Sequence, residues 1–264
     1  SLQSTSKQVL PGYSYICEMQ LPHDPIKPQQ HSSLSKKIQV ADMFDRIAGR
    51  YDFMNRILSG RIDRQWRKIA LRQLRTKQPK HILDVATGTA DFALMAYDML
   101  TPVHITGIDI SAGMLDGGKR KIKARGLEAT IELHVGDAET INAPSDTFDA
   151  VTVAFGVRNF ENLLVGLREM HRVLKPNGQI LILEFSTPRN PLIRFLYNTY
   201  MRGIAPALAR LFGTDHQAYT YLNRSTNAFP DREKFIVLLK EAGYAAPSFQ
   251  PLTFGICCIY TASK

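Results

Sequence analysis

A chain of 264 residues in which 44% are hydrophobic and 22% are charged can bury a full core, so its composition excludes an intrinsically disordered protein. Its three cysteines, Cys17, Cys257 and Cys258, show no CxxC spacing, which argues against a structural zinc site and for a reducing compartment. The formal net charge of +9 favours an anionic partner but does not choose among nucleic acid, a phospholipid surface and an acidic substrate.

The composition changes near residue 38. Residues 1–38 are rich in Gln, Ser and Pro and show little apolar periodicity, so we predict a flexible N-terminal extension there. No cationic and then apolar leader opens this segment, and we expect no signal peptide. Residues 39–264 form the predicted domain, which begins with two amphipathic helices, one from Val40 and one from Asp63 to about residue 75.

Strand-like and helix-like segments alternate through the middle of the chain. Helices are predicted to begin at residues 91, 112 and 162, and five buried strands are predicted at 81–86, 103–110, 130–135, 148–154 and 179–185. Strands that alternate with helices in this way pair in parallel through right-handed crossovers. We therefore predict an α/β fold, a doubly wound, mostly parallel Rossmann-type sheet with helices on both faces.

The last part of the predicted domain combines helices with closing strands. A helical insertion is predicted at about 190–228, and its apolar run 192–212 has the length of a membrane span. Arg202, near the centre of that run, would cost roughly 2.5–3.5 kcal/mol at mid-bilayer, so we interpret the run as helices that cover a pocket. An antiparallel last strand is expected to end the domain, after a helix and two strands at 231–242, 248–252 and 255–261.

Small and acidic residues surround the end of the first strand. The turn after Ala86 carries Gly88 but lacks the G-x-G-x-x-G spacing of dinucleotide-binding folds, which argues against a bound pyrophosphate. Asp91, at the start of the next helix, would also repel a phosphate. A cofactor with a cationic sulfonium and an ammonium group suits Asp84 and Asp91 better.

The next two strands also end in carboxylates. Asp109 follows the glycine turn by about 20 residues, the spacing at which a carboxylate accepts hydrogen bonds from ribose hydroxyls. Asp137 can accept an adenine amino proton, and Ala138 beside it leaves room for the ring. An aspartate at a strand end is often only a helix cap, and this alternative stays open for each residue taken singly. Together the carboxylates predict a nucleoside-binding α/β enzyme.

These strand-end residues together resemble those of class I methyltransferases, whose cofactor is S-adenosylmethionine. Longer runs resemble the UbiE/MenG family of quinone-biosynthesis C-methyltransferases over about residues 40–264; the runs lie at 51–55, 58–59, 66–67, 155–159, 172–176, 184–186 and 219–230. The chain departs from the family pattern in three places. Asp63 stands where the family usually has His, Asn177 replaces the first of a glycine pair, and Ala90 replaces a common Gly.

The resemblance implies a cofactor site and a reaction. No metal is implied, and the implied cofactor residues lie at the strand ends and adjoining turns: Ala86, Gly88, Thr89, Asp109, Ile110, Met114, Asp137, Ala138 and Ala154. The implied reaction is methylation of a ring carbon of a polyprenylated quinol in menaquinone or ubiquinone biosynthesis. Demethylmenaquinol giving menaquinol is the expected reaction, and the choice between a naphthoquinol and a benzoquinol stays open.

The implied chemistry needs a proton acceptor and a positive group, because a quinol ring carbon becomes nucleophilic when a neighbouring hydroxyl loses its proton. We expect Arg158 to stabilise the phenolate and, with Asn159, to hold a water that takes the proton, since a guanidinium stays protonated in proteins. Tyr51 is the third catalytic candidate. Tyr51 and Tyr221 are expected to line the quinol pocket, and His216 is a second candidate base.

Two of these features have a purely structural alternative. Arg158 could simply pair with an acidic neighbour, Asp52 or Glu161. One apolar run of the insertion could cover the prenyl tail or belong to the ordinary core: Phe195, Leu196, Tyr197, Tyr200 and Met201.

The partners follow from the charge and from the implied substrate. We expect a cytoplasmic protein in contact with a membrane surface, since the implied substrate is a lipid and basic residues attract anionic leaflets. Nucleic acid is not expected as a partner, and a homodimer stays open. Two other functions also stay open. One is methylation of another lipid, and the other is nucleic-acid binding with a retained nucleoside pocket, which nine basic residues between positions 56 and 80 would favour.

Overall fold

Three helices precede the sheet. The computed structural model describes residue 21, residues 23–205, residue 207 and residues 216–264, without the side chains of residues 216, 217 and 219. The first helices are α1 (Lys36–Ile47), α2 (Tyr51–Leu58) and α3 (Ile62–Arg72). The sequence predicts α1 and α3 but not α2, which begins without a side-chain cap directly after a 3₁₀ turn.

Seven strands form one sheet. They are β1 (His81–Val85), β2 (His104–Asp109), β3 (Ile131–Val135), β4 (Phe148–Ala154), β5 (Leu174–Phe185), β6 (Ala245–Leu252) and β7 (Cys257–Ser263). Their order is β3-β2-β1-β4-β5-β7-β6. The first five strands pair in parallel, and β7 runs antiparallel to both β5 and β6. The predicted doubly wound sheet with an antiparallel last strand is confirmed.

Helices cover both faces of this sheet. The remaining helices are α4 (Asp91–Leu100), α5 (Ala112–Ala124), α6 (Leu163–Val173), α7 (Pro191–Thr199), α8 (His216–Ala228) and α9 (Glu233–Glu241). Helices α3, α4 and α5 pack on the face that contains Ile82, and α6 and α9 pack on the face that contains Leu83. Consecutive strand residues point to opposite faces, so the central strands β1, β4 and β5 supply both core layers, whereas the buried residues of the edge strand β3, Ile131 and Leu133, belong to the layer of α3, α4 and α5 alone.

The helical insertion forms a roof over the carboxyl ends of the strands. Val40 and Met43 of α1 pack against Ala218 and Tyr221 of α8. The hydroxyl of Tyr200, in the π-helical turn after α7, donates a hydrogen bond of 2.6 Å to the last carbonyl of α2. No helix in the described part of the chain has both the length and the apolar character needed to cross a membrane.

The chain ahead of α1 packs against the domain. His23 is fully buried, and Leu21 lies against the core layer of α6 and α9. Lys36 is also buried, and its Nζ donates hydrogen bonds to the carbonyls of His23 (3.1 Å) and Arg158 (3.3 Å). The described residues therefore place packed side chains within the predicted extension 1–38. Apolar periodicity does not reveal this segment, because isolated buried residues and hydrogen bonds from Lys36 hold it rather than a regular apolar stripe.

Candidate active site

Two strand ends approach each other closely at the centre of the sheet. Ala86 after β1 and Phe155 after β4 have positive φ angles of 52° and 61°, which are uncommon for residues that carry a side chain. A Cβ at Gly156 would lie 2.5 Å from the Cβ of Ala86, so only glycine fits at this position. Backbone strain of this kind clusters at ligand sites.

A cavity of about 70 Å³ opens beside this contact, and we name it the strand-end cavity. It is lined by eight of the nine predicted cofactor residues: Ala86, Gly88, Asp109, Ile110, Met114, Asp137, Ala138 and Ala154. Lys37, Tyr51 and Asn159 complete its polar lining together with two glutamates. Open parallel sheets bind ligands at this position, outside the carboxyl ends of the strands.

Backbone hydrogen bonds hold the carboxylate of Asp109 in the strand-end cavity. It accepts hydrogen bonds from the backbone nitrogens of Gly88 (2.8 Å) and Ser111 (2.9 Å). Burial raises the pKa of Asp109 to about 6, although these hydrogen bonds act in the opposite direction. The carboxylate keeps lone pairs for a ligand, because each oxygen can accept two hydrogen bonds.

Asp137 ties the end of β3 to α1. Its Oδ2 forms an ion pair with Nζ of Lys37, and its Oδ1 accepts a hydrogen bond of 3.0 Å from the backbone nitrogen of Glu139. The same Lys37 Nζ lies 3.7 Å from the Glu139 carboxylate. A cation from α1 therefore stands at the edge of the strand-end cavity.

A smaller cavity adjoins the first at the turn between β1 and α4, and we name it the turn cavity. The two cavities share Ala86, Gly88 and Ala154 in their walls. Thr89, the ninth predicted cofactor residue, lines the turn cavity. Its hydroxyl donates a hydrogen bond of 2.6 Å to Asp52, so the turn is tied to α2.

Two carboxylates line the turn cavity. Asp84 is buried and accepts hydrogen bonds of 2.6 Å from the hydroxyls of Thr87 and Thr152. Burial raises the pKa of Asp84 to about 6. Asp91 is more exposed and lies 2.5 Å from Nζ of Lys121. Both residues that the sequence analysis matched to a cationic cofactor group therefore lie in this cavity.

A third cavity of about 280 Å³ lies beneath the helical roof, and we name it the apolar cavity. Most of its lining is aromatic or aliphatic, and the lining includes Met43, Phe44, Met54, Leu58, Trp66, Phe155, Phe185, Tyr197, Tyr200, Met201, Tyr221 and Leu222. Its buried charged residues are Asp63, Arg67 and Arg158. Only part of the run that could cover a prenyl tail faces this cavity. Tyr197, Tyr200 and Met201 line it, whereas Phe195 and Leu196 are exposed.

Arg158 is buried in the wall of the apolar cavity and pairs with Glu184. Its Nη1 donates hydrogen bonds to Glu184 Oε1 (2.8 Å) and to the carbonyl of Phe155 (2.5 Å). The two alternative partners, Asp52 and Glu161, bind other groups. The buried Nε of Arg158 has no hydrogen-bond partner among the described residues and can donate to a ligand.

The three cavities meet at Tyr51, which lines all of them. Phe44 and Phe155 separate the strand-end cavity from the apolar cavity and line both. Arg158 lines the apolar cavity, whereas Asn159 lines the strand-end cavity, where its buried Oδ1 has no partner among the described residues. The predicted catalytic pair Arg158 and Asn159 therefore serves two cavities rather than one.

The other predicted site residues differ in what the structure describes. Tyr221 is 2% exposed and lines the apolar cavity, and burial raises the pKa of its hydroxyl, which has no partner in the described part of the chain. The side chain of His216 lies outside the described residues. Asp63 accepts a hydrogen bond of 2.7 Å from the hydroxyl of Ser59 and lies 3.8 Å from Nε of Arg67. Among described residues, no group of three His, Cys, Asp or Glu could hold a metal ion.

Three residues of the site are absent from the sequence analysis or misplaced in it. Glu184 appears in the sequence analysis only within the run 184–186, with no role of its own. Lys36 falls within the predicted flexible extension 1–38. Arg67 was counted among the nine basic residues between positions 56 and 80 that would favour nucleic-acid binding, yet it is only 8% exposed. The signal for Arg67 is its position three residues before Ala70 and four before Leu71, because this spacing places all three on one helix face.

Comparison with known proteins gives the family. Residues 32–264 match the model of the ubiE/COQ5 methyltransferase family. A demethylmenaquinone methyltransferase of Bacteroides fragilis is 42% identical over 246 residues, which cover 93% of this chain and 100% of that protein. A ubiquinone/menaquinone biosynthesis C-methyltransferase UbiE of Geotalea daltonii is 43% identical over 227 residues, which cover 86% of this chain and 96% of that protein.

A solved structure of a SAM dependent methyltransferase from Aquifex aeolicus shares the fold. Its TM-score is 0.51 at 19% identity, and the match covers 70% of this chain and 81% of that one. The predicted family is confirmed, because the family model and both relatives match most of the chain. The chain therefore belongs to the ubiE/COQ5 methyltransferase family and is an S-adenosylmethionine-dependent methyltransferase.

Proposed function

We propose that this protein transfers a methyl group to a ring carbon of a polyprenylated quinol, with demethylmenaquinol as the favoured substrate and menaquinol as the product. The observation that carries the proposal is the meeting of the strand-end cavity and the apolar cavity at Tyr51. A cofactor held on one side of Tyr51 can reach an apolar ring held on the other. The names of the two relatives support a quinone precursor as the methyl acceptor.

The strand-end cavity and the turn cavity together suit the two parts of S-adenosylmethionine. Asp109 is assigned to the ribose hydroxyls and Asp137 to the adenine amino group, and apolar surface for the ring comes from Ile110, Met114 and Ala138. A ligand donor would also satisfy the Oδ1 of Asn159, which has no partner in the described part of the chain. The methionine part is assigned to the turn, where the wall is formed by Ala86, Gly88, Thr89 and Ala154. When bound, the cofactor supplies an electrophilic methyl group.

Arg158 is assigned to the quinol hydroxyl next to the reacting carbon. Its Nη1 is held by Glu184, and its Nε, which has no partner among the described residues, can donate to the hydroxyl oxygen. A charge-assisted hydrogen bond in an apolar cavity favours the ionised hydroxyl and lowers the pKa of that group. The proton passes to water, because the guanidinium is already protonated. Asn159 lines the other cavity, so we assign the water to Arg158 and Tyr51.

We also propose that α7 rests on an anionic membrane surface. Leu192, Phe195 and Leu196 are 55–67% exposed on this helix, and Arg194 beside them is exposed as well. Tyr197 of the same helix lines the apolar cavity, so a lipid substrate at the surface would lie close to the cavity. Apolar side chains enter the headgroup region, and basic ones add about 1 kcal/mol each near anionic lipids.

Vesicle sedimentation tests this contact. Phe195→Glu should reduce binding to phosphatidylserine-containing vesicles, whereas Val237→Glu places the same charge at an exposed apolar residue of α9 and should not. Equal binding by the parent and by Phe195→Glu would remove α7 from the membrane contact. Equal loss in both variants would show that any added negative charge has this effect.

Incubation with S-adenosylmethionine labelled in its methyl group tests the reaction. The acceptors are demethylated naphthoquinols and methoxybenzoquinols with short prenyl chains, each supplied reduced and in detergent. We expect the label in the naphthoquinol ring carbon, with a lower rate on benzoquinols. A reversed preference would place the protein on the ubiquinone route. Label transfer to a phospholipid or a nucleic acid, with none to either quinol, would overturn the proposal.

A further inference from the structure

Arg67 is a buried cation with little to bind inside the protein. It lies on α3 and is 8% exposed. Its Nε has no hydrogen-bond partner among the described residues. The carboxylate of Asp63 stands 3.8 Å from this nitrogen, which is an ion-pair distance but too long for a hydrogen bond. A buried guanidinium with an unused donor indicates a ligand group on its open side.

The walls of the turn cavity indicate which ligand group this is. Arg67 is the one cationic residue among those described that line this cavity. Asp84 and Asp91 line it as well, so the cavity holds one positive and two negative side chains. An amino acid carries a carboxylate and an ammonium group on one carbon, and such a pair matches this arrangement of charges.

The neighbouring groups fix the guanidinium of Arg67. Its Cζ lies 5.5 Å from the centre of the Phe155 ring, within the range of a cation–π contact. Asp63 lies beside its Nε, and Asp63 is itself held by the hydroxyl of Ser59 at 2.7 Å. A fixed planar guanidinium binds a carboxylate through two parallel hydrogen bonds, whereas a lysine offers only a point charge.

We propose that Arg67 binds the carboxylate of the methionine part of S-adenosylmethionine. The proposal rests on the assignment of the turn cavity to that part and does not depend on the identity of the methyl acceptor. Ala86, Gly88 and Ala154 lie in the walls of both the strand-end and the turn cavity, so one ligand can extend from one into the other. Its nucleoside then lies at Asp109, and its carboxylate faces α3.

Arg67 also lines the apolar cavity, so a quinol oxygen is the competing ligand group. A pair of cofactors separates the two possibilities. Decarboxylated S-adenosylmethionine keeps the nucleoside, the sulfonium and the amino group, and it lacks only the carboxylate. A residue that binds the carboxylate will distinguish the two cofactors, whereas a residue that binds the quinol will not.

Calorimetry in the absence of quinol is the test. The parent should bind S-adenosylmethionine at least tenfold more tightly than the decarboxylated form, because each hydrogen bond to a charged group adds a factor of about ten or more. Arg67→Gln should lose that preference by weakening only the complete cofactor. Arg64→Gln is the matched control, since Arg64 lies on the same helix and is exposed, and it should keep the preference.

The outcomes separate this proposal from the proposed reaction. Equal weakening of both cofactors by Arg67→Gln, or no weakening of either, would overturn it. A rise in quinol KM with unchanged cofactor binding would assign Arg67 to the quinol. If Arg67→Gln lowers the melting temperature too far for calorimetry, Arg67→Lys replaces it. That variant should keep part of the preference and bind the decarboxylated cofactor as the parent does. A protein that methylates no quinol can still pass this test.

Discussion

Glu184→Gln tests whether the buried pair of Arg158 and Glu184 holds the arginine in place. Glu184 has no solvent exposure and accepts three hydrogen bonds. Two come from Nη1 and the backbone nitrogen of Arg158, at 2.8 and 3.3 Å, and the third comes from the backbone nitrogen of Phe185 at 2.8 Å. Removing one charge of a buried pair destabilises a protein by about 3–5 kcal/mol, because the other charge is left uncompensated.

We expect the lower end of that range, since glutamine keeps the volume and one acceptor oxygen. In a protein of this size each kcal/mol lowers Tm by roughly 2–4 °C, so about 3 kcal/mol corresponds to a drop of about 6–12 °C. Circular dichroism melts of the ligand-free protein at neutral pH measure this. Glu233→Gln is the control, because it removes the carboxylate of an exposed pair with Arg189, and its Tm should equal that of the parent.

A second measurement on Glu184→Gln separates stability from positioning. Its affinity for S-adenosylmethionine should stay near that of the parent, because Glu184 does not line the strand-end or the turn cavity. The methylation rate should fall, because Nη1 of Arg158 loses its anchor. A Tm drop no larger than that of Glu233→Gln would refute the reasoning about the buried pair.

Three further predictions concern the site and the chain segment ahead of α1. Arg158→Lys should lower the single-turnover rate on the order of a hundredfold and leave cofactor affinity nearly unchanged, because lysine lacks the planar fork of donors; equal rates would exclude Arg158 from the mechanism. Cofactor affinity should fall as the pH drops below about 6, because protonation of Asp109 removes acceptors for the ribose. Calorimetry across pH should show a smaller fall in Asp109→Asn, in which only Asp84 of the turn cavity still titrates near pH 6. Removing residues 1–35 should lower Tm below that of a variant that lacks only residues 1–20, because buried His23 and an acceptor of Lys36 are lost. Equal melting temperatures would contradict this.

The strand-end part of the site could be predicted from sequence because topology fixes it. Parallel strands bring their carboxyl ends to one edge, so Gly88, Asp109 and Asp137 come together once the strands are identified. The positions of these three residues directly after predicted strands are enough to predict that they lie close together. The close contact of Gly156 with Ala86 was not found, because it depends on the distance between two strand ends that are 70 residues apart.

The rest of the site depends on contacts between residues far apart in sequence, which a local sequence pattern does not predict. Helix α2 has eight residues and no side-chain cap, so its stability comes from packing against other elements. The partner of Arg158 could not be chosen by proximity in sequence, since Glu184 lies 26 positions away, farther than Glu161 but much nearer than Asp52. Charge alone grouped Arg67 with the basic residues between positions 56 and 80, whereas its position on the buried face of α3 separates it from them.

The adjacent thiols of β7 offer a way to follow fluctuations of the core. Cys257 and Cys258 are free and buried, and they belong to opposite layers, the former to that of α3, α4 and α5 and the latter to that of α6 and α9. A thiol reagent reaches a buried cysteine only when the surrounding structure opens. In a Cys17→Ser background, Cys257→Ala and Cys258→Ala each leave one reporter. The labelling rates of the two variants would show whether both sides of the sheet open together or separately.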